Sequence, residues 1–385
     1  MLTGDAMRHL VCEHAARVPE IEARLARAGI GPGDVPDDAA LARLPLLRKS
    51  ALRELQAAAP PWGGMLEVSF APTVAFISPG GVVEPLVPRM VERLAELLRE
   101  AGFGRAHTVL NGFSYHVTPA GLLFHEALVR TGCMVLPAGA QGTATLVDYA
   151  QTLGANAFVG IASHLKILFE QRPSLAIRLA MAGAEPNADA VRATLLHQHG
   201  VRCFDMYGFA EGGIVAASCA AAGALHLHAD VLAEVLDPAS DVAVAEAGAG
   251  ELVVSLDNPG FPLLRFATGD WVRIDPAVCA CGRRGTLHLL GRADQSARVK
   301  GMLLHPSQLR RFSAAVGADA CRVELSRVAD RDRIAVALRP GEGPLADAAQ
   351  LDGRFRDTCR RRADAFAIDA SLPAASCVIE DLRKA

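Results

Sequence analysis

The chain has 385 residues, 51% of them apolar, with a formal net charge of −3 and a pI near 6.5. That content supports a large buried core in two or three domains, and the charge excludes the electrostatic footprint of a nucleic-acid binder. No stretch reads as a transmembrane helix, and the charged opening "MLTGDAMRHLVCEHAARVPEIEARL" lacks the apolar centre of a signal peptide, so a soluble, cytoplasmic protein without membrane association is expected. Nine cysteines, mostly isolated, fit a reducing compartment better than a disulfide framework. Arginine far outnumbers lysine, which occurs only at Lys49, Lys166, Lys300 and Lys384.

In chain order, apolar residues recur at three and four over 5–28 and again over 86–101, "LVPRMVERLAELLREA". Both periods predict helices, stopped by Gly29 and Gly102. Short apolar runs follow, "HTVLNGF", "CMVLPAG", "AFVGIAS" and "LAMAGAEP", with helical stretches around 120–131, 143–153 and 186–198. Strand and helix at this spacing predict a parallel sheet with covering helices. From about 225 the pattern changes to "LHLHADVLAEVL", "GELVVSL", "PLLRFATGDWVRI" and "GTLHLLGR", which predicts an antiparallel sheet or small barrel over about 225–291. Past Gly291, a candidate helix at "HPSQLRRFSAAVG", a strand pair at "CRVELSRV" and "DRIAVALRPG", and a helix near 347–363 make a small α+β unit. The expected fold class is α/β, with a large N-terminal domain over 1–291 and a small C-terminal lid domain over 292–385.

The stretch "ISPGGVVEP" (Ile77 to Pro85) has the Gly-Gly pair of a phosphate-cradling turn, yet carries Glu84 near where a lysine is wanted. Its neighbours supply a frame. "AGIGPGDV", "LPLLRKSALREL", Tyr115 with "GLLFHEALVRTGCMVLPAG", "GAEP" at 183–186, "MYGFAEGG" at 206–213, "PLLRFATGD" at 262–270 and "GRADQSARVKGMLLHPSQL" at 291–309 follow one another in a known order. Taken together, they resemble the adenylate-forming superfamily, and within it the phenylacetate–coenzyme A ligase family, nearly end to end.

That resemblance implies roles. Ala184, Glu185 and Pro186, after Gly183, would lie against an adenine ring, with Tyr207 and Gly208 near it. Glu211 would be the carboxylate for magnesium, a hard cation that prefers oxygen ligands. Ala210 stands where the family has Ser or Thr, which removes a phosphate donor. Asp270 would accept from both ribose hydroxyls, assisted by Arg292. Asp294 would be the hinge of the lid, and Lys300 and Gly301 belong to its thiol-tunnel segment. Tyr115 and His125 would face the acyl pocket, together with Gly183 and Ala210. Read alone, "GAEP" is a strand-to-helix turn, Asp270 a turn aspartate, Arg292 a surface arginine and His125 a satisfied core histidine. ATP or AMP with magnesium, an acyl substrate, and coenzyme A or a phosphopantetheine thiol are the implied ligands. An acyl carrier protein is the implied partner, with a homodimer as one option for assembly.

Two departures stand against the pattern. The family's phosphate loop reads Ser-Ser-Gly-Thr-Thr-Gly-Lys-Pro; here Ser78, Pro79, Gly80, Gly81, Val82, Val83, Glu84 and Pro85 align with it. Valines offer no side-chain donor, and Glu84 at ~4–6 Å from a triphosphate would repel it by on the order of 1–4 kcal/mol. The family's C-terminal catalytic lysine is replaced by Ala375, Ser376 or Cys377, depending on register, ahead of an ending that keeps Ile379, Asp381 and Arg383.

"CACGRR" (279–284) resembles the knuckle of zinc-carrying members of the family. Cys279 and Cys281, with Cys219 and His226, would make a closed structural zinc site. His228 is the register-shifted alternative, which strand alternation points to the opposite face; two buried thiols in a turn are the plain reading. Three functions follow: an acyl- or aryl-CoA ligase working through an acyl-adenylate, an ATP-independent acyltransferase between coenzyme A and a carrier protein, and a non-catalytic scaffold.

Overall fold

Proline is tolerated in the first turn of a helix and not inside one. Pro19 therefore splits the helix expected over 5–28 into α1 (Gly4–His14) and α2 (Pro19–Arg27), with Val18 extended between them. The computed structural model describes residues 4–31, 43–78, 80–185, 188–221, 223–238, 240–293, 297–299, 302–304, 306–328 and 331–384. After β1 (Leu47–Arg48) and α3 (Lys49–Ala58), the "ISPGGVVEP" stretch forms a hairpin of β2 (Ala75–Ile77) and β3 (Val83–Pro85). Next comes α4 (Pro88–Glu100), which again starts on a proline.

Strand and helix then alternate as the sequence predicts: β4 (Thr108–Asn111), α5 (Ala120–Thr131), β5 (Met134–Leu136), α6 (Thr143–Thr152), β6 (Ala157–Gly160), α7 (Ala162–Gln171), β7 (Leu179–Gly183), α8 (Asp189–His199) and β8 (Arg202–Phe209). The strands pair in parallel in the order β5-β4-β6-β7-β8. Helices cover both faces. Leu94, Leu98 and Phe124 fill one side and Leu146, Leu165 and Phe169 the other, all fully buried. Each such side chain contributes about 1.5–3 kcal/mol on burial.

The antiparallel part is continuous with this sheet. β9 (Gly213–Ser218) turns back on β8, and β10 (Leu225–Leu227), β11 (Val231–Asp237), β12 (Val242–Ala243), β13 (Ala249–Leu256), β14 (Leu263–Val278) and β15 (Arg284–Arg292) extend it. Among the described residues the sheet has thirteen strands. β1 joins it too, parallel to β14, with Arg48 opposite Ala267. This pairing delivers the first turn of α3 to the "ATGD" segment.

A separate small domain follows. It contains the hairpin β16 (Ala297–Val299) and β17 (Met302–Leu304), then α9 (Pro306–Val316), β18 (Ala318–Val328), β19 (Arg331–Pro340), α10 (Ala348–Cys359), β20 (Ala365–Ile368) and β21 (Cys377–Asp381). Its sheet runs β20-β19-β18-β21. Asp347 caps α10 in a reciprocal box with Gln350, and Arg360 in the left-handed region (φ 53°) ends that helix at Cys359, short of the expected 363. Phe312, Phe355 and Phe366 stack edge-on in its core. No described helix is long and apolar enough to cross a membrane.

One buried charge network ties α4 to the sheet. Arg93, fully buried, donates to Asp230 at 2.8 Å, to Asn258 at 2.7 Å and to the Gly212 carbonyl at 3.2 Å. His228 bonds the same Asp230 at 2.6 Å and Glu96 at 2.8 Å. Burial alone would raise the Asp230 carboxyl, but the His228 and Arg93 contacts outweigh it and hold it far below the usual range. An acid depressed in this way stabilises the fold above its unfolded value near 4, and that contribution is lost as pH falls further. Asp230→Asn, which strands Arg93 without its counter-ion, is expected to cost about 3–5 kcal/mol at pH 7. Chemical denaturation at pH 7 and pH 3 checks this: the difference from wild type should shrink at the lower pH.

Candidate active site

The end of β7 faces β8 too closely for any side chain but hydrogen. A Cβ on Gly183 would sit 2.6 Å from Met206 Cγ and 2.9 Å from its carbonyl oxygen. Ala184 follows in the left-handed region, φ 59°, and turns the chain outward. Ala184, Glu185, Tyr207, Gly208, Asp270 and Arg292 share the wall of one cavity of about 550 Å³. That volume lies in the range of small-ligand sites. Within it, the Tyr207 hydroxyl donates to Asp270 Oδ2 at 2.7 Å, and Arg292 donates to Asp270 Oδ1 at 2.9 Å. The last contact follows from register, since Asp270 and Arg292 are direct partners on β14 and β15. These residues, which the sequence motifs point to for an adenosine, are thus brought together, while Pro186, Asp294, Lys300 and Gly301 lie outside the described residues.

The phosphate-loop candidate is closed on itself. Ser78 N–H donates to the Val82 carbonyl at 2.9 Å, Gly81 N–H to the Ser78 carbonyl at 2.8 Å, and Val83 N–H to Gln56 at 2.9 Å. Gly81 makes the turn with φ 79°, and Gly80 lies beside Lys49. Three of the loop's amide donors are therefore spent within the protein. Glu84 does not face outward as the alignment implied. It is fully buried, and burial, then the nearby Glu211 charge, raises its carboxyl to about 9 against the pull of Lys49. At neutral pH it is uncharged, so its expected repulsion of phosphate is relieved by a proton.

Glu211 sits in the tight turn between β8 and β9, fully buried, with the half-buried Ala210 before it. Its Oε1 is 2.7 Å from the Lys49 ammonium, and its Oε2 has no hydrogen-bond partner among the described residues. A buried orphan carboxylate oxygen fits a hard divalent cation, so Glu211 is suited to magnesium. Lys49 has no role in the sequence reading, although its rarity marked it. It opens a cleft of about 260 Å³ that also includes Arg48, Arg53, Gly80, Gly269 and Arg292. Arg48 is neutralised by Glu251 at 2.8 Å and Arg292 by Asp270. Arg53, half-buried one helical turn beyond Lys49, has no ion pair among the described residues.

Tyr115 and His125 form a second polar group and do not line the 550 Å³ cavity. Asn111 donates to the Tyr115 oxygen at 2.8 Å, and the same hydroxyl lies 3.2 Å from His125 Nδ1. Burial pushes the Tyr115 phenol up to about 12, which keeps it a donor.

Cys219, His226, Cys279 and Cys281 converge, with their ligand atoms all within 4.8 Å of one another. Zn–S bonds of about 2.3 Å and Zn–N bonds of about 2.0–2.1 Å in a tetrahedron put S···S near ~3.8 Å and S···N near ~3.5 Å. The Cys219–Cys279 sulfurs are 3.7 Å apart and Cys281 Sγ is 3.5 Å from His226 Nε2. His226 Nδ1 is held at 3.0 Å by the Gly285 carbonyl, which leaves Nε2 free to ligate. His228, by contrast, is committed to Asp230 and Glu96. A backbone hydrogen bond from Arg283 leads the effects that pull the Cys281 thiol down to about 7. The donor set and spacing fit zinc.

Two outcomes follow. Glu84 holds a proton in the folded state that the unfolded chain releases above pH ~4.5, so its contribution is favourable below that pH and fades as pH rises towards 9. Glu84→Gln should therefore gain in melting temperature over wild type at pH 8.5 and gain little at pH 4.5. For the cluster, elemental analysis should find one zinc per chain, and Cys279→Ser should lose the metal and lower the melting temperature.

No protein-family model matches the chain. It is 26% identical over 337 residues to the phenylacetate-coenzyme A ligase of Thermus thermophilus, covering 82% of this chain and 75% of that one. It is 26% identical over 313 residues to the same-named enzyme of Pseudomonas putida, covering 76% and 70%. A solved 2-hydroxyisobutyryl-CoA ligase in complex with 2-HIB-AMP and CoA, in the thioesterification state, superposes with TM-score 0.83 at 19% identity, over 98% of this chain and 90% of that one. The postadenylation state of that ligase gives 0.69, at the same identity, over 99% and 89%. The amide bond synthetase McbA of Marinactinospora thermotolerans gives 0.61 at 16% identity, over 78% and 65%. With its motifs in order and its fold in common with these proteins, the chain is similar to the adenylate-forming enzymes and, among them, to the phenylacetate–coenzyme A ligases.

Proposed function

We propose that the chain is an acid–thiol ligase-like enzyme that activates an aromatic or other carboxylic acid as an acyl-adenylate and passes the acyl group to a thiol of coenzyme A. The observation that carries this reading is the Tyr207–Asp270–Arg292 constellation in the wall of a nucleoside-sized cavity. Asp270, fixed from both sides, presents a carboxylate to paired ribose hydroxyls. In the first step the acid's carboxylate oxygen bonds the α-phosphorus while the bond to pyrophosphate breaks, so negative charge builds on the phosphate oxygens. Cations must meet that charge. A magnesium ion bound by Glu211 would supply part of it. Lys49 and Arg53 reach the same side from α3 and stand in for the cation that the loop lost. Tyr115 and His125 are the candidates for the acyl side. The zinc knuckle is structural in this reading, since all four ligands are protein atoms.

A second reading, acyl exchange between coenzyme A and a carrier-protein thiol without ATP, is favoured by the spent amides of the hairpin and by the lack of any lysine between Lys300 and Lys384. It also suits a domain arrangement closer to the thioesterification state than to the postadenylation state.

Pyrophosphate exchange with a panel of aryl acids tests the first reading, run beside acyl transfer from acyl-CoA to a carrier protein without ATP. Exchange is expected, and Arg53→Ala should lower it about ten- to a hundredfold. Transfer without exchange replaces the first reading by the second. Neither activity, with no thermal shift by ATP or AMP, leaves a non-catalytic scaffold.

A further inference from the structure

Glu185 has two partners, and they come from different parts of the chain. Its Oε2 accepts from the Ser163 backbone N–H at 3.1 Å, in the first turn of α7. Its Oε1 receives Arg327 Nη2 at 3.3 Å, from the end of β18 in the small domain. The same nitrogen reaches Asp332 at 3.2 Å; Asp332 in turn holds Arg383 at 2.7 Å, and Arg383 holds Asp381 at 2.7 Å. The chain of charges ends at Asp381, which lines the 550 Å³ cavity. Glu185, Asp332 and Arg383 keep side-chain exposures of only 6%, 5% and 1%.

Several physical points separate this chain from an ordinary surface ion pair. Buried charges must be paired, and breaking one link strands its neighbours. Arg327 to Glu185 is the link that joins the two domains, since Asp332, Arg383 and Asp381 lie with Arg327 in the small domain. It also engages the one carboxylate of "GAEP", the turn that borders the cavity.

We infer that Arg327 and Glu185 form a latch that docks the small domain over the cavity, so that Glu185 serves as a positioning residue for that domain and ligand exchange requires the latch to open. The inference rests on the reading that a nucleotide occupies the cavity. A closed latch slows entry and release alike, and linkage makes the effect mutual: a nucleotide that favours the docked form tightens docking in return.

The test uses the full chain with Arg327→Glu, Arg327→Gln and the charge-keeping Arg327→Lys, and leaves Glu185, which lines the cavity, untouched. Small-angle X-ray scattering reads the separation of the domains, and a fluorescent AMP analogue reads dissociation by stopped flow. Arg327→Glu is expected to increase the maximum dimension of the particle and to raise the analogue's dissociation rate about tenfold, Arg327→Gln less so. Arg327→Lys should keep both within about threefold of wild type, which a role in packing alone would not do. Scattering and dissociation rate unchanged in Arg327→Glu, or Arg327→Lys as impaired as Arg327→Gln, overturns the latch. If the analogue binds no variant, the nucleotide reading fails, and scattering still decides the latch by the same criteria.

Discussion

Two fully buried carboxylates meet one ammonium that enters from a cleft, and the character of the site depends on how they divide their charge. Glu211 takes the Lys49 ammonium at 2.7 Å, and Glu84 accepts a proton because burial and Glu211 both oppose its ionisation. With that settlement, the hairpin above them can close on its own backbone. On the proposed function, cationic duty falls to α3, where Lys49 and Arg53 sit one turn apart. A lysine-to-glutamate change that would ruin an open phosphate loop is accommodated once the loop is closed.

The sheet holds these parts in register. β14 carries Asp270, β15 carries Arg292, and β1 lies on β14 just ahead of Lys49. The Cys–His cluster pins the opposite end of the β14–β15 hairpin to the β9–β10 turn. A metal there would fix the strands far from the cavity and so steady Arg292 near it.

Much of this was legible in the sequence because it is local. Helix and strand periods placed most elements, alternation separated His226 from His228, and motif order collected Tyr207, Asp270 and Arg292 into one wall. What was not legible depends on distant pairing. Lys49 meets Glu211 through a two-residue strand bonded to a partner more than two hundred residues away, and no local pattern encodes that. Glu84 looked like a surface repulsion because sequence shows charge type and hides solvation. Arg327 looked like one arginine among many until the small domain was docked. The break at Pro19 was within reach of sequence rules: proline suits the first turn of a helix, and the apolar period ran straight through it.

The closed hairpin also changes what an empty site costs. A cradle of unpaired amides is poorly satisfied without its anion, and it gains order when the anion arrives. Here Ser78, Gly81 and Val83 have spent their donors before any ligand comes. The resting protein therefore sits close to its relaxed state, and ligand arrival has less backbone to organise. On the proposed function, discrimination among ligands would then fall to side chains on α3 and to the walls of the cavity, with the loop as a fixed floor.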